Sequence, residues 1–261
     1  MPHHFIKCAA PLVLLLFCSP LKAADATDGA RWHVAIGAGA QSLPRWLGAD
    51  RQQWQPVPFF DVEAPGGSEL SSSDGLSVPL ATAGRWQAGV YGDYLWGRSR
   101  SDLGPALAGI VPTLHTRVHA GGFIAYQATP ALAIGGRLGR DLGGDGAYLN
   151  AYVDYELPPL WYLQQSLSLG WRGMNAAAMR RYFGLDAAAA SQLGTDRWRP
   201  GTGSQQASAN YSVFMPTSPH TGVALSLDYA RLLGDAGRSP LVQRFGSRGQ
   251  WEWSVAFVYH F

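Results

Sequence analysis

The chain has 261 residues, 20 Lys and Arg against 18 Asp and Glu, and only 15% charged residues, with 32 Gly, 10 Trp and 11 Tyr. Both lysines (Lys7, Lys22) and both cysteines (Cys8, Cys18) lie in the first 23 residues. The rest carries 18 Arg against 18 acids, a formal charge of zero, and no thiol. This excludes a basic nucleic-acid surface, a disulfide framework and a thiol nucleophile or ligand beyond residue 23.

Residues 1–23 read as a secretory signal, with Lys7 in the basic region, an apolar stretch from Cys8 to Phe17, and small residues around Ala23 and Ala24. The apolar stretch is too short to cross a bilayer. Phe17 is bulky where a lipobox before Cys18 wants a small residue, so a plain secretory signal is the reading and residues 24–261 are the mature chain.

From there on, apolar and polar residues alternate with period two. Strands are expected near 31–40, 55–63, 85–96, 113–127, 131–140, 147–157, 160–172, 204–215, 221–232 and 251–261. The stretch GSELSSSDGLSVPLATA (67–83) reads as one bent strand or as two short ones joined at SSDG. Many strands are ten residues or longer, and aromatics gather at the ends of their apolar faces, as in a tilted bilayer crossing with interfacial girdles. In lipid such a sheet must close on itself. The fold class is therefore all-β, a transmembrane antiparallel up-and-down β-barrel. Termini on one side require an even strand count, so twelve strands are expected, with ten as the alternative. Connectors alternate between short (82–84, 128–131, 157–159, 216–220) and long (97–112, 173–203, 234–250), which assigns the short ones to the periplasm and the long ones to the outside.

Several residues invite a chemical reading. His115 and His119 fall on one predicted strand face, but four strand residues span about 13 Å, too far to share an ion. Arg85, Asp93, Arg117, Arg137, Asp154, Glu156, Asp228 and Glu252 fall on inward faces, as an ion-pair network filling the lumen or the lining of a selective pore. DLGGDG (141–146) suits a Gly-rich hairpin loop better than a calcium or phosphate loop. RRYFGLDAAAASQLG (180–194) carries Ala187–Ala190 and suits a short outer helix. Arg180, Arg181, Arg197 and Arg199 nearby could meet lipopolysaccharide phosphates. His220 and His260 have no Ser and acid converging on them by spacing. No catalytic, cofactor-binding or metal-binding residue is expected, and no cofactor.

The tail WEWSVAFVYHF (251–261), with Trp251, Trp253, Val255, Phe257, Tyr259 and Phe261 on one face, resembles the C-terminal signal of outer-membrane proteins. That resemblance implies the barrel-assembly machinery as a partner through Phe261. The blocks VHAGGFIAY (118–126), GRDLGGDGAYLNAYVDYELP (139–158), RRYFGLDAAAASQLG (180–194) and YARLLGDAGRSPLVQRFGSRGQW (229–251) are together similar to the MipA/OmpV family. SLPRWLGADRQQWQPVPFFDVE (42–63) is similar, more loosely, to that family's opening loop and Pro-rich strand. The resemblance implies an outer-membrane barrel of a Gram-negative bacterium, non-enzymatic, scaffolding a lytic transglycosylase (murein hydrolase) and a murein synthase in peptidoglycan metabolism. Other members point to the alternative, a small channel or a surface receptor or adhesin.

Overall fold

The computed structural model describes residues 32–261; the expected signal segment lies outside the described residues. The elements, in chain order, are β1 (His33–Pro44), β2 (Gln52–Glu63), β3 (Glu69–Ser71), β4 (Gly75–Ala83), β5 (Trp86–Leu95), α1 (Arg100–Leu107), β6 (Arg117–Thr129), β7 (Leu132–Asp141), β8 (Ala147–Leu160), β9 (Leu163–Met174), α2 (Ala176–Phe183), α3 (Ala187–Leu193), β10 (Gly203–Pro216), β11 (Thr221–Leu232), α4 (Gly234–Arg238), α5 (Pro240–Phe245) and β12 (Gly249–His260). Each strand pairs antiparallel with the next, and β12 pairs with β1 to close a twelve-stranded barrel. The 67–83 stretch is two strands, which settles the count at twelve.

The closing seam runs from Ala35↔His260 to Ser42↔Trp253. Gly37 and Gly39 stand on it, and a Cβ at either would collide with the backbone carbonyl of Phe257 or Val255. The outer face is apolar: Ile36, Trp54, Val90, Tyr94, Ile124, Leu138, Leu149, Leu169, Leu225 and Trp253 are all exposed, as lipid-facing groups must be. The tail residues from Trp251 to Phe261 on odd positions belong to the same face. Trp54 and Trp253 meet edge to face at 4.2 Å, and Tyr229 and Trp251 lie 4.6 Å apart, forming part of one aromatic belt.

The buried apolar residues sit inside and above the barrel. At the long-loop end α2, α4 and α5 pack Met179, Phe183, Ala236 and Val242 onto the strand ends at Leu95, Tyr148, Met174 and Leu232. A second cluster joins Trp46 and Ala49 of the β1–β2 loop to Leu103 and Leu107 of α1, Ala189 and Ala190 of α3, and Leu241 of α5. At the other end Ala35, Ala224, Ala256 and Val258 narrow the lumen. The cap helices are locally encoded. Asn175 caps α2 through Ala178 N–H (2.9 Å), Asp186 caps α3 through Ala189 N–H (2.8 Å), and Gly194 ends α3 in the left-handed conformation. The helix expected around Ala187–Ala190 is therefore present, preceded by a second one.

Several boundaries differ from expectation: β1 runs on to Pro44 rather than 40, and β2 begins at Gln52 rather than 55. LPP (157–159) is not a turn: β8 runs on to Leu160, and Trp161–Tyr162 turn back into β9. Pro158 and Pro159 are tolerated because β8 has left β7 behind at Tyr155↔Leu132, so no ladder bond is lost there. β6 begins at Arg117 rather than 113, because Leu114 pairs with Arg98 in an isolated bridge.

Gly39→Val should break the seam, at a cost of about 3 kcal/mol from overpacking against the β12 backbone. The compact, heat-modifiable gel form should largely disappear after refolding in detergent, while Gly143→Ala, whose Cβ meets nothing within 4 Å and whose backbone is not left-handed, should leave it intact.

Candidate functional site

The structure places some of the charged residues expected in the lumen there and others elsewhere. Arg117 reaches Asp141 at 3.0 Å, and Arg181 of α2 stands 4.0 Å from the same carboxylate, whose side chain is fully buried. Arg181 also donates to the His115 carbonyl. Asp141 thus ties the cap to the wall. Gly144 and Gly146 make room for this pair, since a Cβ on either would strike Arg117 or Asp141. DLGGDG is accordingly a hairpin loop, closed by Asp141 N–H donating to the Gly146 carbonyl at 2.8 Å.

Arg137 pairs with Asp74 at 3.4 Å and lies over the Tyr91 ring. Asp228 accepts from Asn210 Nδ2 and Ser226 Oγ, both at 2.8 Å, and stands directly opposite Glu252 on the β11–β12 ladder. Asp93 takes the Tyr94 N–H at 2.6 Å. Asp154 is buried and Glu156 half-buried on the inward face of β8. Arg85 is not in the lumen: it sits in the β4–β5 turn, exposed, and donates to the Ala128 carbonyl. His115 and His119 do not share a strand face, because His115 precedes β6 and is exposed while His119 is buried in the lumen. Among the described residues no three His, Asp or Glu side chains form a metal-holding group. Arg181 is turned into the cap, so it drops out of the surface group that includes Arg180, Arg197 and Arg199. His220 accepts at its carbonyl from His260 N–H (2.7 Å) and stacks on Tyr259, and the His260 ring meets Phe214 edge to face at 5.3 Å.

Two adjoining cavities, about 130 Å³ and 160 Å³, occupy the polar middle of the barrel. They share Asp93, His119, Asn150, Arg172 and Glu252, and both reach Leu47 of the β1–β2 loop. Gln250 folds that loop inward: its Oε1 accepts from Gly48 N–H (3.0 Å) and its Nε2 donates to the Ala49 carbonyl (3.1 Å). Arg98 is 4% exposed; it donates to the Pro112 carbonyl (3.1 Å) and the Tyr182 carbonyl (2.9 Å), and burial pulls its guanidinium down to about 10, still protonated at neutral pH. Sequence reading missed Asp74, Trp96, Arg98, Arg172 and Gln250. Alternation marks inward positions on β9 and β12, where Arg172 and Gln250 lie. The other three sit in loops, where it gives no direction.

The family model described as "MltA-interacting protein MipA" matches residues 36–261. The chain belongs to the MipA family. It is an outer-membrane β-barrel. No curated protein matches it. Among solved structures it is similar to the NanC porin (11% identity, 88% of this chain and 99% of that one, TM-score 0.39). It is also similar to an anion-selective porin from Comamonas acidovorans (8% identity, 88% and 99%, TM-score 0.41). The outer membrane channel DcaP of Acinetobacter baumannii aligns at 6% identity (88% and 96%, TM-score 0.39). Likenesses this distant say nothing about what this chain does.

Arg117→Ala should lower stability by about 1–2 kcal/mol, because Asp141 keeps Arg181 nearby and Arg117 is itself about a third exposed. Denaturant midpoints in detergent would read this, and planar-bilayer conductance should hardly change. Asp235, at the start of α4, accepts Gly201 N–H (2.9 Å) and an Arg238 bond (2.6 Å), which hold its carboxyl below the usual 3.8. A depressed carboxyl stabilises the fold above its unfolded value and loses that contribution as pH falls through the folded one. Hydrogen exchange at Gly201 N–H should therefore lose protection only below about pH 4.

Proposed function

We propose that this barrel is a non-enzymatic interaction protein that holds a murein hydrolase, and through it a murein synthase, at the inner side of the outer membrane. The supporting observation is the β8–β9 tip on the short-turn, periplasmic end. Its residues Leu157–Leu160 run past the last β7 partner, and Pro158, Pro159, Leu160, Trp161 and Tyr162 are exposed. Trp161 is 89% exposed at φ 60°, a left-handed conformation that a large side chain adopts at a cost of about 1–2 kcal/mol. Gly would relieve that strain. A strained, solvent-facing Trp on a projecting turn fits a docking contact, since exposed aromatics anchor interfaces. The family description, an MltA-interacting protein, agrees with this reading. One hairpin offers less than the roughly 800 Å² per side of a stable interface, so the contact is weak or shared with neighbouring turns. The barrel-assembly machinery and outer-leaflet lipopolysaccharide belong to the same proposal as assembly and membrane partners.

The second reading is a channel or receptor. The helical cap and the lower apolar cluster weigh against free diffusion through the lumen, whereas the cavities between them favour ligand capture.

Photocrosslinkers at Pro159 and at Arg197 should separate the readings: a lytic transglycosylase is expected from Pro159 and not from Arg197. Trp161→Gly should leave the barrel at least as stable and weaken recovery of the transglycosylase about tenfold. Unchanged recovery would remove the docking role of this tip, and failure to capture any murein enzyme from Pro159 would remove the scaffold.

A further inference from the structure

The wall of the barrel is one strand short over part of its height. β3 has three residues. Its ladder with β2 ends at Asp61↔Ser71, supplemented by Phe60 N–H to Ser72 Oγ (3.3 Å) and Ser72 N–H to the Phe60 carbonyl (2.9 Å). β4 begins at Gly75, and its ladder with β5 reaches only Leu76↔Gly92. Above these points β2 is paired with β1 alone and β5 with β6 alone, and β2 and β5 stand farther apart than paired strands. The opening is floored by the Ser72–Asp74 turn. It is roofed where Trp46 and Ala49 pack near Leu103 and Leu107. Its flanks carry Trp54 and Tyr94, exposed belt aromatics, which set it at the depth of the outer leaflet.

The edge of this slot is chemically adapted. Phe60 directs its N–H and carbonyl toward β3, so Pro58 and Pro56, two and four residues earlier, present their backbone to the slot. Neither has an N–H to leave unpaired in lipid. On the opposite edge the Tyr94 N–H goes to the Asp93 carboxylate instead of a strand. These are the marks of a lasting edge, since an unpaired donor in hydrocarbon is what a barrel must avoid.

Behind the slot lies the 130 Å³ cavity, whose lining includes Leu43, Trp46, Tyr94, Leu95, Trp96 and Arg98. Six buried polar atoms on that lining have no hydrogen-bond partner: Arg45 Nε, Trp96 Nε1, Arg98 Nη2, His119 Nδ1, Tyr148 Oη and Glu252 Oε2. Arg98 spends its other bonds on carbonyl oxygens. Unfilled donors at Trp96 and Arg98, beside an apolar wall, suit a small molecule with an apolar or aromatic body and an acidic head. Glu252 lies deeper, opposite Asp228, and is shared with the second cavity.

We propose that the slot between β2 and β5 is a lateral port through which a small amphipathic acid passes from the outer leaflet into this cavity, its head received by Trp96 and Arg98. The proposal does not depend on the murein-enzyme reading.

Two measurements test it on the full mature barrel, which has no cysteine of its own beyond residue 23. In proteoliposomes, Leu95→Cys should react with membrane-partitioning N-phenylmaleimide and not with the charged reagent MTSES. Ala125→Cys, buried behind intact wall, should react with neither. Labelling of Leu95→Cys by MTSES at an equal rate, or by neither reagent, would overturn the port. In detergent, calorimetry should show saturable binding of indole-3-acetic acid, weakened about fivefold by Trp96→Phe, which removes one donor and keeps the ring. Indole alone should be insensitive to that change. No binding of the acid, equal weakening of both probes, or tighter binding of tryptamine than of the acid would overturn the assigned ligand chemistry.

Discussion

Backbone hydrogen bonding without water governs this molecule. Inside a bilayer each unpaired N–H or carbonyl costs several kcal/mol, so the sheet must close and its strands must keep register. The β1–β12 seam is where that demand is met last in the chain, and it leaves room for nothing beyond a hydrogen at Gly37 and Gly39. Closure turns the usual arrangement inside out. Apolar side chains go to lipid, and the polar ones are gathered into a lumen where they must find one another.

The interior networks follow from that gathering. Asn210, Ser226 and Asp228 satisfy each other across the β10–β11 ladder. Asp141 serves Arg117 of the wall and approaches Arg181 of the cap, so one buried carboxylate couples the barrel to its lid. Asp74 exists in the lumen only because the β3–β4 hairpin turns back early, and Arg137 is the charge that makes its burial tolerable.

The regular part of this design was legible from the sequence because closure imposes a period. Alternation located ten of the strands; for 67–83 it allowed one bent strand or two joined at SSDG, and the even count that same-sided termini require favoured two, which the β3–β4 hairpin bears out. Alternation failed where the period stops. His115 looked like the start of β6 because its neighbours alternate, yet Leu114 answers Arg98 instead. Arg85 has an inward parity but sits past the last rung, where parity has no meaning. Pro158 and Pro159 read as a turn, since Pro usually ends a ladder, but here the ladder had already ended on one side. The cavity donors Trp96 and Arg98 could not be found at all, because they come from a loop whose path is fixed by packing between distant helices.

Proline carries the same lesson on the opposite side of the barrel. In PVP (56–58) the two prolines are spaced by two and share one backbone direction, so together they strip donors from a single edge of β2. A strand flanked on both sides would lose ladder bonds at each of them. The pattern therefore encodes a strand that is meant to be paired on one side only, and the three-residue β3 beside it is its structural counterpart. A twelve-stranded wall serving only to close would gain from a longer β3 and from N–H groups at 56 and 58. That the chain has neither, and that the shortfall opens toward buried groups without partners, ties the irregularity of the wall to what the lumen holds.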